Sequence, residues 1–125
     1  GDNAGESVFD RLLIEQMGKR TIYLVRDQAV INDVTYQDAV DSGLDEVAEI
    51  KSSGCPSPGL ILGQCNEECL ELFKTAPMVI SKGQGNYEAL SDCRRSVFYL
   101  LKAKCHVISE IIGVRKGDIV LELRD

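Results

Sequence analysis

The chain has a single histidine and only three prolines, and none of its cysteines form a Cys-x-x-Cys pair. With His106 as the sole imidazole, a Cys-His or Ser-His-Asp nucleophilic system would rest on that one residue, and no Gly-x-Ser-x-Gly elbow accompanies it. His106 follows Lys102 and Lys104 at the expected start of a helix and reads as a surface or capping residue. The five cysteines (Cys55, Cys65, Cys69, Cys93 and Cys105) are odd in number and follow no tight pattern. Cys65 and Cys69 are spaced for one helix face, but two thiols with no histidine nearby make a poor zinc site. Buried, reduced thiols in a cytosolic protein are the expectation. No apolar run reaches the roughly 18 residues of a membrane span, and no secretory signal pattern is present. Basic residues are in the minority, 14 against 20 acids for a net charge of −6, which argues against nucleic acid or an anionic membrane as partner.

What remains is an ordinary soluble composition, 44 % apolar and 27 % charged over 125 residues, enough for one domain. Two hydrophobic periods alternate along it. Gly5 to Arg20 carries Val8, Phe9, Leu12, Leu13 and Met17 at helical spacing, with Gly18 near its end. Thr21 to Val25 is a short strand-like run. Thr35 and Asp38 form a capping-box pattern for a short helix ending near Gly43. Val47 to Ile50 is a weak strand candidate, and a helix from about Leu60 or Asn66 to Thr75 offers Leu70, Leu72 and Phe73 to a core. Met78 to Ser81 reads as a fully buried strand. A helix near Gly85 to Glu88, a strand at Val97 to Leu101, a helix from Val107 to Ile112 closed by Gly113, and a strand at Ile119 to Leu123 complete the order. Alternation with short connections predicts an α/β domain over residues 1–125: a mostly parallel sheet in a three-layer Rossmann-like sandwich, helices on both faces. In such a sheet the chemistry lies just beyond the carboxyl ends of the strands.

Three islands there carry chemistry. Asp2 and Asn3 present a carboxylate and a carboxamide side by side, donors that suit a hard divalent ion; Asn3 with Glu6 equally makes a capping box for the following helix. Asn32 and Asp33 follow the strand and turn from Val25 to Ile31 and either complete that metal site or form an Asx turn. Ser81-Lys82-Gly83-Gln84-Gly85-Asn86 delivers a lysine onto spaced glycines ahead of a helix. That arrangement binds phosphate through backbone amides, a helix N-terminus and a point charge, or else is a plain left-handed turn with an exposed lysine. Neither the Walker A order nor the dinucleotide Gly-x-Gly-x-x-Gly pattern is present.

Together, Asp2-Asn3-Ala4-Gly5-Glu6, Ser7-Val8-Phe9-Asp10, Ile31-Asn32-Asp33-Val34-Thr35 and Lys82-Gly83-Gln84-Gly85-Asn86-Tyr87-Glu88 resemble the metal-dependent damage-control phosphatases, in their stand-alone archaeal and bacterial branch. The resemblance runs from Asp2 to about Leu123. It implies a divalent metal ion (Mn, Co, Ni or Mg) and hydrolysis of small phosphate monoesters such as phosphopantetheine-like or sugar-phosphate metabolites. It also implies metal ligation by Asp2, Asn3 and Asp33, phosphate contact by Lys82 with Gly83 and Asn86 on the substrate side, and a cytoplasmic setting. Glu6 and Asn32 are neighbours of that site. Members of the family carry a helical region and a strand ahead of the first motif, so the chain is expected to be the α/β portion, with an open sheet edge that favours homo-oligomers. The competing reading is a non-catalytic α/β module that binds an anion or a partner chain, with Asn3-Glu6 and Thr35-Asp38 serving only as helix caps.

Overall fold

A computed structural model describes residues 1–125. Five helices and five strands alternate: α1 (Ser7–Met17), β1 (Ile22–Val25), α2 (Tyr36–Asp41), β2 (Glu49–Ser52), α3 (Glu67–Thr75), β3 (Ile80–Lys82), α4 (Gln84–Ala89), β4 (Val97–Lys102), α5 (His106–Ile112) and β5 (Ile119–Arg124), with single 3-10 turns at Ala4–Glu6, Leu44–Glu46 and Leu62–Gln64. No helix is long and apolar enough to cross a membrane. The mixed α/β class read from the sequence is the class observed.

The local signals explain most boundaries. Thr35 and Asp38 form the reciprocal capping box, each side chain serving the other residue's backbone amide. Asn66 caps α3 by accepting from the Cys69 amide at 2.8 Å, which places the helix start at the later of the two expected positions. Gly18 and Gly113 end α1 and α5 in the left-handed conformation, where the absence of a Cβ removes the steric cost. All five cysteines are free, with Cys55 and Cys69 buried.

Three expectations need correction. The face of α1 that turns inward is Ser7, Asp10 and Ile14, while Val8, Phe9 and Leu12 of the apolar stripe are exposed. Polar contacts decide this. The Ser7 hydroxyl bonds the Ala4 carbonyl and the Ser42 hydroxyl, and Asp10 is drawn to two buried partners described below. Second, the Met78 to Ser81 segment is not fully buried. Its strand begins at Ile80, and Met78 is exposed. Third, the sheet is divided. β1 and β2 pair in parallel, β3 and β4 pair in parallel, and β5 runs antiparallel to β4, with the register Val97 opposite Arg124 and Lys102 opposite Ile119.

The division has a definite geometry. The β2 amides of Glu49 and Ser53 reach the Thr21 and Val25 carbonyls, so the alternate residues Ile22 and Leu24 turn their backbone polar groups away from β2. On the other side, Phe98 donates to the Val79 carbonyl and Gly83 to that of Leu100, so Ile80 and Lys82 turn theirs away from β4. The Leu24 carbonyl is taken by the Gly1 nitrogen at 3.1 Å and that of Lys82 by Asn86, while Ile22 and Ile80 face one cleft of about 800 Å³, lined by both strands and by Leu13, Ile14 and Met17 of α1 and Leu72 and Phe73 of α3. Two apolar clusters flank it. A larger one gathers Phe73, Tyr87, Tyr99, Leu101 and Ile108 around β4, and a smaller one gathers Ile14, Tyr23, Val25, Val34 and Leu44 around β1.

Amides that point into the cleft lack a ladder partner. Hydrogen exchange followed by NMR is expected to show Ile22 and Ile80 exchanging more than about tenfold faster than Tyr23 and Ser81, their ladder-paired neighbours.

Candidate metal and phosphate site

The three sequence islands meet at the carboxyl ends of β1 and β3. Asp2 and Asn3 run alongside the segment after β1. The Val34 amide donates to the Asp2 carbonyl at 2.7 Å, the Ala4 amide to the Asn32 carbonyl at 2.9 Å, and Asn3 and Asp33 form an isolated antiparallel bridge. Asn32 and Asp33 are placed by a tight turn in which the Asp33 amide reaches the Val30 carbonyl at 2.9 Å. Ile31 inside it has φ of +52°, a conformation a β-branched side chain rarely adopts. Backbone held at such a cost persists where surrounding contacts over-determine it.

The third island closes against the first. Gly83 follows β3 at φ +87°, and a Cβ there would fall 2.1 Å from the Asp2 carboxyl carbon. Only glycine lets the Asp2 carboxylate lie against the turn that carries Lys82. Glu6, Gln84, Lys102 and Lys104 line the shallow mouth above this contact together with Asp2, Lys82 and Gly83.

Electrostatics and hydrogen bonding mark the spot. Burial, and next the Asp33 carboxylate, hold the Asp2 carboxyl above the usual carboxylate range. Asn3 takes no part in capping. It sits before the 3-10 turn without a side-chain cap bond, and its Oδ1 is buried with no hydrogen-bond partner. An orphaned carboxamide oxygen costs about 1–3 kcal/mol unless something outside the protein pairs with it. Two mutually repelling carboxylates and one unpaired carbonyl oxygen are the donor set a hard divalent cation takes. No group of three or more His, Cys, Asp or Glu side chains is suitably arranged for a metal, so the protein donors here would be two carboxylates and a carboxamide. His106 lies elsewhere and is exposed at the start of α5.

Lys82 and Asn86 are held differently. Lys82 Nζ donates to Asp10 Oδ1 at 2.6 Å, and the same carboxylate accepts from the Tyr23 hydroxyl at 2.6 Å through Oδ2. Asn86 is buried with its amide fully engaged: Nδ2 donates to the Gly1 carbonyl at 3.0 Å and the Lys82 carbonyl at 2.7 Å, while Oδ1 accepts from Arg26. Arg26, the first residue after β1, also donates through Nε to Asp33 Oδ2 at 2.9 Å. Sequence reasoning missed Asp10, Tyr23 and Arg26. For Arg26 a signal existed, since it stands at the carboxyl end of a strand. Asp10 stood within the motif Ser7-Val8-Phe9-Asp10, but in a helical run read for its apolar residues, so no role was given to it.

Fold and site together define an α/β domain in which the segments of Asp2, Asn3 and Asp33 meet the Lys82–Gly83 turn at the strand ends. Residues 1–120 match the damage-control phosphatase ARMT1-like domain, and the chain belongs to that family. Among its relatives, an uncharacterised protein of Methanocaldococcus jannaschii is 41 % identical over 96 % of this chain and 42 % of its own length. A damage-control phosphatase of Pyrococcus horikoshii is 37 % identical over 95 % of this chain and 43 % of its own. One from Archaeoglobus fulgidus is 35 % identical over 98 % and 44 %. The crystal structure of a DUF89 family protein from P. horikoshii superposes with a TM-score of 0.94 at 35 % identity, covering 99 % of this chain and 45 % of that one. The chain thus spans less than half the length of these relatives.

Replacing Gly83 by alanine is expected to displace Asp2 and strain the turn, with a loss of about 1–3 kcal/mol in urea unfolding, the scale for a non-glycine residue forced to positive φ. Gly63→Ala, where an added Cβ meets nothing within 4 Å, is the matched control.

Proposed function

We propose that this chain carries the metal- and phosphate-binding part of a phosphatase acting on small phosphate monoesters, phosphopantetheine-like or sugar-phosphate metabolites among them. The observation that carries the reading is the unpaired, buried Oδ1 of Asn3, which bridges to Asp33, next in the chain to Asp2, whose carboxylate lies against the Gly83 turn that follows Lys82. The names of the P. horikoshii and A. fulgidus relatives support it.

Asp2, Asn3 and Asp33 would hold a divalent ion (Mn, Co, Ni or Mg). Such an ion supplies Lewis-acid polarisation of a phosphoryl oxygen and a bound water of lowered pKa. Lys82 contributes positive charge to the phosphoryl oxygens where negative charge develops, with its ammonium steadied by Asp10. Gly83 leaves room for Asp2 at the turn, and Asn86 ties that turn to the first loop rather than touching substrate. The mouth lined by Lys102, Lys104 and Gln84 suits an anionic, hydrogen-bonding metabolite. The non-catalytic alternative takes Asn3-Glu6 and Thr35-Asp38 as helix caps only; Thr35 and Asp38 do form such a box, whereas the Asn3 side chain makes no cap bond and is left for another role. Self-association through the unpaired strand edges fits the same geometry.

The direct assay is hydrolysis of p-nitrophenyl phosphate with each of the four metals added in turn. Asp33→Ala and Lys82→Ala are each expected to lower the rate by more than about a hundredfold, the scale for losing a contact to transition-state charge. Metal-stimulated rates unchanged in both variants would remove the site assignment.

A further inference from the structure

Arg26 is 4 % exposed, and a guanidinium taken out of water is costly unless its partners are well arranged. Its one ion-pair partner is Asp33, 11 % exposed at the side chain, reached through Nε at 2.9 Å. The other arm goes to a neutral group: Nη2 donates to Asn86 Oδ1 at 3.0 Å. Asn86 in turn holds the carbonyls of Gly1 and Lys82. One side chain therefore touches the Asp33 loop directly and, through a single amide, both the first loop and the end of β3. These segments are the three islands of the candidate site.

The pairing with Asp33 is one-sided. Arg26 engages Oδ2 and leaves Oδ1 with no hydrogen bond from the protein. A carboxylate whose one oxygen is fixed by a rigid donor presents the other in a fixed direction, which is how outer partners orient metal-ligating groups. Lysine in this place would keep the charge but lose the planar fork that reaches two acceptors at once.

Resting on the metal-site reading above, we infer that Arg26 is a positioning residue: it orients Asp33 toward the cation and, through Asn86, couples that cation to the anion held at Lys82. Asp33 and Lys82 do not touch each other in the structure, so the protein's own path between them is the Arg26–Asn86 contact, which acts alongside the direct attraction of cation and phosphate. Bound phosphate then raises cation affinity, and by reciprocity the cation raises phosphate affinity by the same factor.

The test uses Mn²⁺ and inorganic phosphate as probes, with Mn²⁺ binding read by electron paramagnetic resonance and calorimetry, independent of turnover. Arg26→Lys is expected to weaken Mn²⁺ binding by about 10–100-fold, the usual cost of losing an outer partner of a metal ligand. Asn86→Ala keeps the Arg26–Asp33 pair but frees the first loop from β3, and is expected to weaken Mn²⁺ binding less than Arg26→Lys while reducing the phosphate-dependent gain at least about threefold. Circular dichroism reports folding in each variant, and Asn86→Ala decides the coupling if Arg26→Lys does not fold. If wild type binds Mn²⁺ and Arg26→Lys matches it within about twofold, Arg26 does not position Asp33; if the phosphate-dependent gain in Asn86→Ala equals that of wild type, the coupling does not run through Asn86. A wild-type chain that binds no Mn²⁺ overturns the metal-site reading itself, which is a separate failure.

Discussion

A guanidinium in a protein interior dictates what surrounds it. The Arg26 side chain cannot lose its charge, so the chain must bring it a carboxylate and a hydrogen-bond acceptor or not fold around it. Asp33 and Asn86 meet that demand, and each arrives on a different segment. The tight turn at Val30 to Asp33, with Ile31 at positive φ, sets Asp33 at the right depth. The short helix α4 sets Asn86, whose donors then fix the first loop and the end of β3. Buried charge in this protein arranges segments more than it adds stability, and the candidate site inherits its layout from that arrangement.

The second organising feature is the buried carboxylate of Asp10. On composition alone α1 should bury Val8, Phe9 and Leu12, yet these face outward. Asp10 instead accepts from Tyr23 and Lys82, one on each side of the cleft. Bonds to a carboxylate are about twice as strong as neutral ones, and a buried carboxylate left without them would be costly, so Asp10 must face these two donors. Asp10, Tyr23 and Lys82 thus fix the rotation of α1 about its axis in this chain, with Val8, Phe9 and Leu12 on the exposed side.

How much of this was legible in the sequence depended on the range of the interaction. Local devices were readable: the Thr35–Asp38 box, the glycine stops at Gly18 and Gly113, and the alternation that gives the α/β class. The convergence of Asp2, Asn3, Asp33 and Lys82 at the strand ends was readable from motif order and strand-end logic, and the structure places their segments together. Asn3 showed the limit of pattern matching, since Asn3 and Glu6 have the spacing of a capping box, yet the helix opens with a 3-10 turn and the side chain stays free. The roles of Arg26, Asp10 and Tyr23 were not readable, although Arg26 stands at a strand end and Asp10 in the Ser7-Val8-Phe9-Asp10 motif, because their partners lie 7 to 72 residues away and no local pattern encodes those distances. The antiparallel course of β5 was equally non-local. It follows from the bonds between Ala103 and the Gly117–Asp118 corner, which turn the chain back along β4.

The two apolar clusters lie on opposite sides of the cleft, one around β1 and one around β4, and no strand ladder joins them. Leu24 packs across, and polar side chains hold the upper end together. In this chain the two halves therefore meet along a seam crossed by side chains and not by a strand ladder. A cation on Asp2, Asn3 and Asp33 with an anion at Lys82 would straddle that seam. Occupancy would then act on how the halves move as a unit, making the sharpness of unfolding, and not only its midpoint, a property of the bound state.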